Sequence, residues 1–123
     1  MKVLLSIRPE YANKIFSGEK RYEYRKNIFK KKNIDSILVY STKPVGKIIG
    51  EIYIDEIIED EPNNIWVNTH EFSGITHNYF QDYFNDRELG FAIKIKEAIL
   101  FDRPLELADV ISSGKAPQSF CYI

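Results

Sequence analysis

The sequence is poor in residues that build covalent or metal frameworks. Its one cysteine, Cys121, cannot close a disulfide within the chain, so a reducing compartment, the cytoplasm, is the expected location. Two histidines, His70 and His77, stand seven apart without cysteine partners, which is poor spacing for zinc. No metal and no cofactor are expected. No apolar run approaches the roughly 20 residues a membrane helix requires, so no membrane contact is expected. The apolar opening is broken by Ser6 and then by Arg8-Pro9-Glu10, and reads as a strand rather than a signal peptide. Repeats and low-complexity segments are absent.

What is present fits one soluble domain over residues 1–123, with no second core. Hydrophobic residues make up 44% and charged residues 28%, too apolar a mixture for a disordered chain. The net charge of −1 hides an asymmetry: residues 1–32 carry ten lysines and arginines against three glutamates, and the rest carries seven against fifteen acids. A basic front third suits an anionic partner, although Lys30-Lys31-Lys32 alone reads equally as a solvated loop.

The periodicities predict β-α-β-β-β-α-α-β-β. Residues 2–8 read as a strand. Pro9 suits the first turn of a helix that carries Tyr11, Ala12, Ile15 and Phe16 on one face and stops at Gly18. Residues 20–26 alternate, which would put Tyr22 and Tyr24 on one face and Glu23 and Arg25 on the other. Strands are expected at 36–41, 47–58, 91–95 and 120–123, and helices at 62–72 and, N-capped by Thr76, at 78–84. Strands outnumber crossover helices, so the expected class is α+β, with a mixed, mostly antiparallel sheet curling into a small β-barrel.

The segments Gly18-Glu19-Lys20 and Glu23-Tyr24-Arg25, following a strand and a short helix, form a G-x-K and E-x-R pair. With Val39-Tyr40-Ser41-Thr42, the strand 45–51 and the closing Ala116-Pro117-Gln118-Ser119-Phe120, the chain resembles the ASCH family, a branch of the PUA-like barrels, over nearly its whole length. The resemblance implies a barrel with a cleft between the first helix and the barrel wall, and a role in RNA binding or RNA metabolism. Some members resemble amidohydrolases acting on acylated cytidine, ribonuclease activity is attributed to others, and the related YTH and EVE domains bind modified bases in a comparable cleft. In the amidohydrolase-like members a threonine nucleophile follows the turn lysine by three residues. Here that position is Glu23, so Lys20 carries over and the threonine mechanism does not.

Residue chemistry is compatible with the cleft. Lys20 can reach a phosphate or carbonyl oxygen, Arg25 offers a planar fork, and Glu23 can accept from a base amino group or activate water. Arg8 and Lys26 would extend the phosphate-contacting surface, Tyr22, Tyr24 and Tyr40 could stack on bases, and Gln118 lines the cleft by resemblance. The structural alternative is that the tyrosines pack the barrel and that Glu23 and Arg25 form an ion pair. In a regular strand Lys20 and Glu23 would point to opposite faces, and they meet only if the turn or a bulge realigns them. The primary expectation is a monomeric module binding single-stranded RNA or a modified nucleotide. One alternative is a small hydrolase, an amidohydrolase on an acylated nucleoside or a ribonuclease, with Lys20 and Glu23 catalytic. The other is an adaptor for a protein partner, its contact face formed by the helices around Trp66 and Tyr79–Phe84.

Overall fold

Period-two alternation organises the first strand, β1 (Lys2–Ile7). Val3, Leu5 and Ile7 point into the main core with Ile37, Val39 and Ile52, while Leu4 points the other way onto Leu38, Tyr40 and Ile48. Both faces are therefore covered, which is why the strand reads as a continuous apolar run. Helix α1 (Pro9–Ser17) begins with proline in its first turn and ends at Gly18, whose φ of 88° is the left-handed cap that glycine supplies at little cost. It presses Ala12 and Ile15 into the main core.

The computed structural model describes residues 1–123. After α1 come β2 (Tyr22–Arg25), β3 (Ser36–Ser41) and β4 (Lys47–Asp60), then α2 (Pro62–Thr69), α3 (His77–Tyr83), β5 (Gly90–Leu105) and β6 (Phe120–Tyr122). One six-stranded sheet runs β2-β5-β4-β3-β1-β6. β1 and β3 are parallel; every other pairing is antiparallel. Bulges between Val39 and Tyr40 and at several points of the β4–β5 ladder help curl the sheet into a half-barrel. The α+β half-barrel and the element order match the expectation. No helix is long and apolar enough to cross a membrane.

The differences are local. β5 continues ten residues beyond the expected Ile95, to Leu105. Only Tyr22–Arg25 pairs on its other side, opposite Phe91–Lys94, so the far part of β5 follows β4 along one edge. Pro104, which reads as a breaker, is tolerated there because an edge position does not require its N–H. The helix expected over 62–72 ends at Thr69 and tightens into a 3-10 turn at His70–Phe72. In α3 the expected cap is present: Thr76 Oγ1 accepts from the Tyr79 N–H at 3.1 Å. This helix drives Phe80 and Phe84 onto Tyr24, Ile65 and Ala92, a second apolar cluster that fixes its position over β2.

Candidate functional site

A cavity of about 400 Å³ opens where α1, α3, β2 and the loop before β6 converge. That volume is within the usual range for small-ligand sites. Its lining includes the candidates Arg8, Lys20, Glu23, Tyr24, Arg25 and Gln118.

Lys20 lies in the turn before β2, which begins only at Tyr22, so the side-chain alternation of the strand does not apply to it. The turn is held by the Lys20 N–H donating to Lys14 O at 3.0 Å. It brings Lys20 Nζ within 3.9 Å of Glu23 Oε1, the realignment that the sequence requires for the two to meet. Lys20 is only 2% exposed. Its ammonium donates to Ser73 O at 2.7 Å and stands 4.7 Å from the centre of the Tyr24 ring. Burial lowers its pKa to about 8, against the opposing pull of Glu23. Gly74 makes this seating possible: a Cβ there would stand 2.6 Å from Lys20 Cβ.

Arg25 lies on β2, one edge of the sheet, and its Nη2 donates to Ser6 O at 3.1 Å and to Ser119 O at 3.2 Å. Two donors are thus aimed at main-chain carbonyls rather than at a ligand, while the buried Nε has no partner in the protein. Glu23 sits between the two cations. Its oxygens lie 3.9 Å from Lys20 Nζ and 3.7 Å from Arg25 Nη1, beyond hydrogen-bond length. The carboxylate is therefore held in place by charge while keeping acceptor capacity toward the cavity.

The opposite wall is aromatic. Tyr11 and Tyr79 have ring centroids 5.4 Å apart, and Tyr79 and Tyr83 lie nearly parallel at 6.5 Å. Burial, with help from Tyr79, pushes the Tyr11 hydroxyl up to about 12. Tyr24 closes the depth of the cavity. The Thr69 hydroxyl donates to Ile65 O at 2.7 Å, which leaves its oxygen to accept from the Tyr24 hydroxyl at 2.8 Å. The Tyr24 pKa is likewise raised to about 12 by burial.

Three expected site residues lie elsewhere. Tyr40 is 5% exposed and packs with Leu4, Leu38 and Ile48 behind the sheet, so it offers no face for stacking. Tyr22 packs on the same apolar cluster as Tyr24, farther along β2, and opens onto a small separate depression with Val67 and Phe72. Lys26 is outside the lining, its ammonium 4.9 Å from the centre of the Tyr83 ring at the rim. Trp66 is also outside, stacked on His77 at 4.7 Å and flanked by His70 at 5.8 Å. Conversely, Tyr11, Tyr79, Tyr83, Ser6 and Thr42 line the cavity without having been singled out for it. The sequence signal for the wall was the tyrosine spacing on α1 and α3, which reads equally well as core.

Comparison with known proteins gives a consistent result. The ASCH domain matches residues 5–99. The ASCH domain-containing ribonuclease of Zymomonas mobilis is 26% identical over 125 residues, covering 99% of this chain and 84% of that protein. The crystal structure of ASCH from Zymomonas mobilis superposes with a TM-score of 0.91 at 26% identity, covering 99% of this chain and 87% of the other. The ATP synthase subunit alpha of Ureaplasma parvum is 26% identical over 123 residues, 98% of this chain but 15% of that much longer protein.

Proposed function

The chain belongs to the ASCH domain family, and we propose that it binds single-stranded RNA by taking one base or modified base into the cavity between α1, α3 and β2. The observation that carries the reading is the pairing of a tyrosine wall with a charged floor in one cavity. A flat heterocycle can lie along Tyr11, Tyr79 and Tyr83, as single-stranded nucleic acid does on aromatic platforms. At its edge Glu23 accepts from an amino or imino group, and Lys20 and the Arg25 Nε–H donate to ring or carbonyl acceptors. The two cations and one carboxylate leave the floor net positive, which suits the strand's phosphates near Arg8 at the mouth. The test is binding of short RNA oligonucleotides by Lys20→Met and Glu23→Gln, both close to the original volume. Each should weaken binding by tenfold or more; unchanged affinity in both would refute the cavity as the site.

A second reading is favoured by the name of the Zymomonas mobilis relative, a ribonuclease. In RNA cleavage the 2′-hydroxyl attacks the adjacent phosphorus and the bond to the 5′-oxygen breaks. In this reading Glu23 would accept the 2′-hydroxyl proton and Lys20 would give a proton to the departing 5′-oxygen; their charged ends lie 3.9 Å apart. Cleavage lost in Glu23→Gln with affinity retained would favour this reading. Intact RNA after long incubation with the wild type would rule it out.

A further inference from the structure

The geometry points to a second, electrostatic element of the same interface: a phosphate track that leaves the cavity along β6 and runs over the lysine loop between β2 and β3, so that the ligand is an extended strand rather than a free nucleoside. The inference rests on the nucleic-acid reading of the cavity and adds its direction and length.

The loop is built rather than merely solvated. At its start Arg87 Nη2 donates to Lys26 O at 2.6 Å and to Asn27 Oδ1 at 3.1 Å. In its middle Phe29 is buried and meets Phe120 edge to face, with centroids 5.9 Å apart. The Tyr122 hydroxyl accepts from the N–H of Lys30 at 2.8 Å and of Lys31 at 3.2 Å. Lys31 Nζ then sits 4.6 Å over the Tyr122 ring. A backbone fixed in this way limits the positions open to the ammonium groups, which lowers the entropic cost of meeting a ligand.

The charges of the loop are unspent. Lys2, Lys20, Arg25, Lys47 and Lys94 each pair with a carboxylate, whereas none of Lys26, Lys30, Lys31 and Lys32 does. The loop is also continuous with the cavity, because one segment, the bend at Gln118 and Ser119 with β6 after it, serves both. Gln118 lines the cavity, Ser119 O meets Arg25, Phe120 meets Phe29 and Tyr122 meets Lys31. From Gln118, in the bend before β6, to Tyr122 at its end is at most about 13 Å. Successive nucleotides of a stacked strand advance about 3.4 Å along its axis, and farther when it is extended, so the track has room for more than one phosphate. Arg87 also lines a depression with Glu61, Asp86 and Glu88, whose net negative charge repels phosphate and leaves the lysine side as the favourable exit.

The experiment uses fluorescein-labelled random-sequence RNA, as a dinucleotide and as a dodecamer, with anisotropy read against salt. The variants are Lys30→Glu/Lys31→Glu, the milder Lys30→Gln/Lys31→Gln, and a charge-matched pair on β5, Lys96→Glu/Arg103→Glu. The loop glutamates should weaken the dodecamer tenfold or more and reduce its salt slope by about 1.4, two phosphate contacts at about 0.7 each. The glutamines should act in the same direction by less, the dinucleotide should shift by less than twofold, and the β5 pair should leave both unchanged. Equal weakening by the β5 pair, or no length dependence, would overturn the track. So would displacement of the dodecamer by polyglutamate, with the same lysine dependence and none on Lys20, because the surface would then serve acidic protein. Lys20→Met separates the two readings. If it changes neither probe while the loop variants still weaken the dodecamer, the cavity reading fails and the track stands. If it weakens both while the loop variants are inert, the track fails alone.

Discussion

Arg25 on one edge strand donates to the main-chain carbonyl of Ser119, 94 residues away beside the opposite edge strand, at 3.2 Å. The same Nη2 reaches Ser6 O at the end of β1 at 3.1 Å. No backbone ladder joins β2 to β6, so this guanidinium bridges the two ends of the curled sheet and forms part of the cavity floor at once. A hydrogen bond from a charged group contributes about 1.5–3 kcal/mol. Arg25→Ala should therefore cost about 2–4 kcal/mol in urea unfolding and speed hydrogen exchange in β6. Arg25→Lys should recover part of the stability, because a single ammonium can serve one or both carbonyls but cannot also flank Glu23. Equal stability of Arg25→Ala and the wild type would show that the bridge carries no load.

Lys20 gives a pH dependence with a defined sign. Its folded pKa of about 8 lies below the 10.5 of the unfolded chain. Between those values the unfolded state binds more protons, so this group's contribution makes stability rise with pH. Below pH 8 the lysine is charged in both states and its burial penalty is constant. Tyr11 and Tyr24, both raised to about 12, act in the opposite sense above pH 10. The clean observable is therefore the stability difference between wild type and Lys20→Met, which should shift in favour of the wild type from pH 8 to 9.5. The wild type's affinity for RNA should fall over the same interval as the ammonium is lost, and that of Lys20→Met should not. Parallel profiles for the two proteins would contradict a depressed Lys20.

Gly74 tests the seating of that lysine from the other side. Its φ of 68° is left-handed, and an added Cβ would lie 2.6–3.0 Å from three atoms of the Lys20 stem. A left-handed residue with a Cβ costs about 1–2 kcal/mol, and the stem must also move off Ser73 O. Gly74→Ala should lose about that much stability and, beyond it, bind RNA more weakly at concentrations where it is fully folded. Gly18→Ala provides the comparison: its φ is also positive, at 88°, but an added Cβ would meet nothing within 4 Å. It should lose stability and retain binding.

The aromatic residues divide into those at the cavity and those behind the sheet. Tyr79→Ala should weaken RNA binding by about 1–3 kcal/mol, the value of one stacked base. Tyr40→Phe should leave affinity unchanged, since Tyr40 is buried against Leu4, Leu38 and Ile48. Equal losses in calorimetric titrations of the two would contradict the placement of the ligand.

The contrast between Tyr40 and Tyr79 also shows what the sequence could convey. Local rules were sufficient for α1, where Pro9 and Gly18 mark both ends, and for the Thr76 cap of α3. The charged floor came from the family resemblance, which singles out Lys20, Glu23 and Arg25 together, and the three do line one cavity. Local rules did not suffice for the wall, which requires two helices separated by some 60 residues to face one another, a fact of tertiary packing. Nor could alternation along 20–26 place Lys20, which belongs to the turn. Arg25 read as a fork for phosphate because its carbonyl partners lie on strands distant in sequence.

The most direct measurement is a tyrosine ring ¹³C NMR titration with random-sequence single-stranded RNA. Tyr11, Tyr79 and Tyr83 should shift and saturate together at one dissociation constant, with Tyr40 unmoved and the shifts absent in Lys20→Met. Binding that leaves the three wall tyrosines unperturbed, or that shifts Tyr40 with them, would contradict a base seated in this cavity.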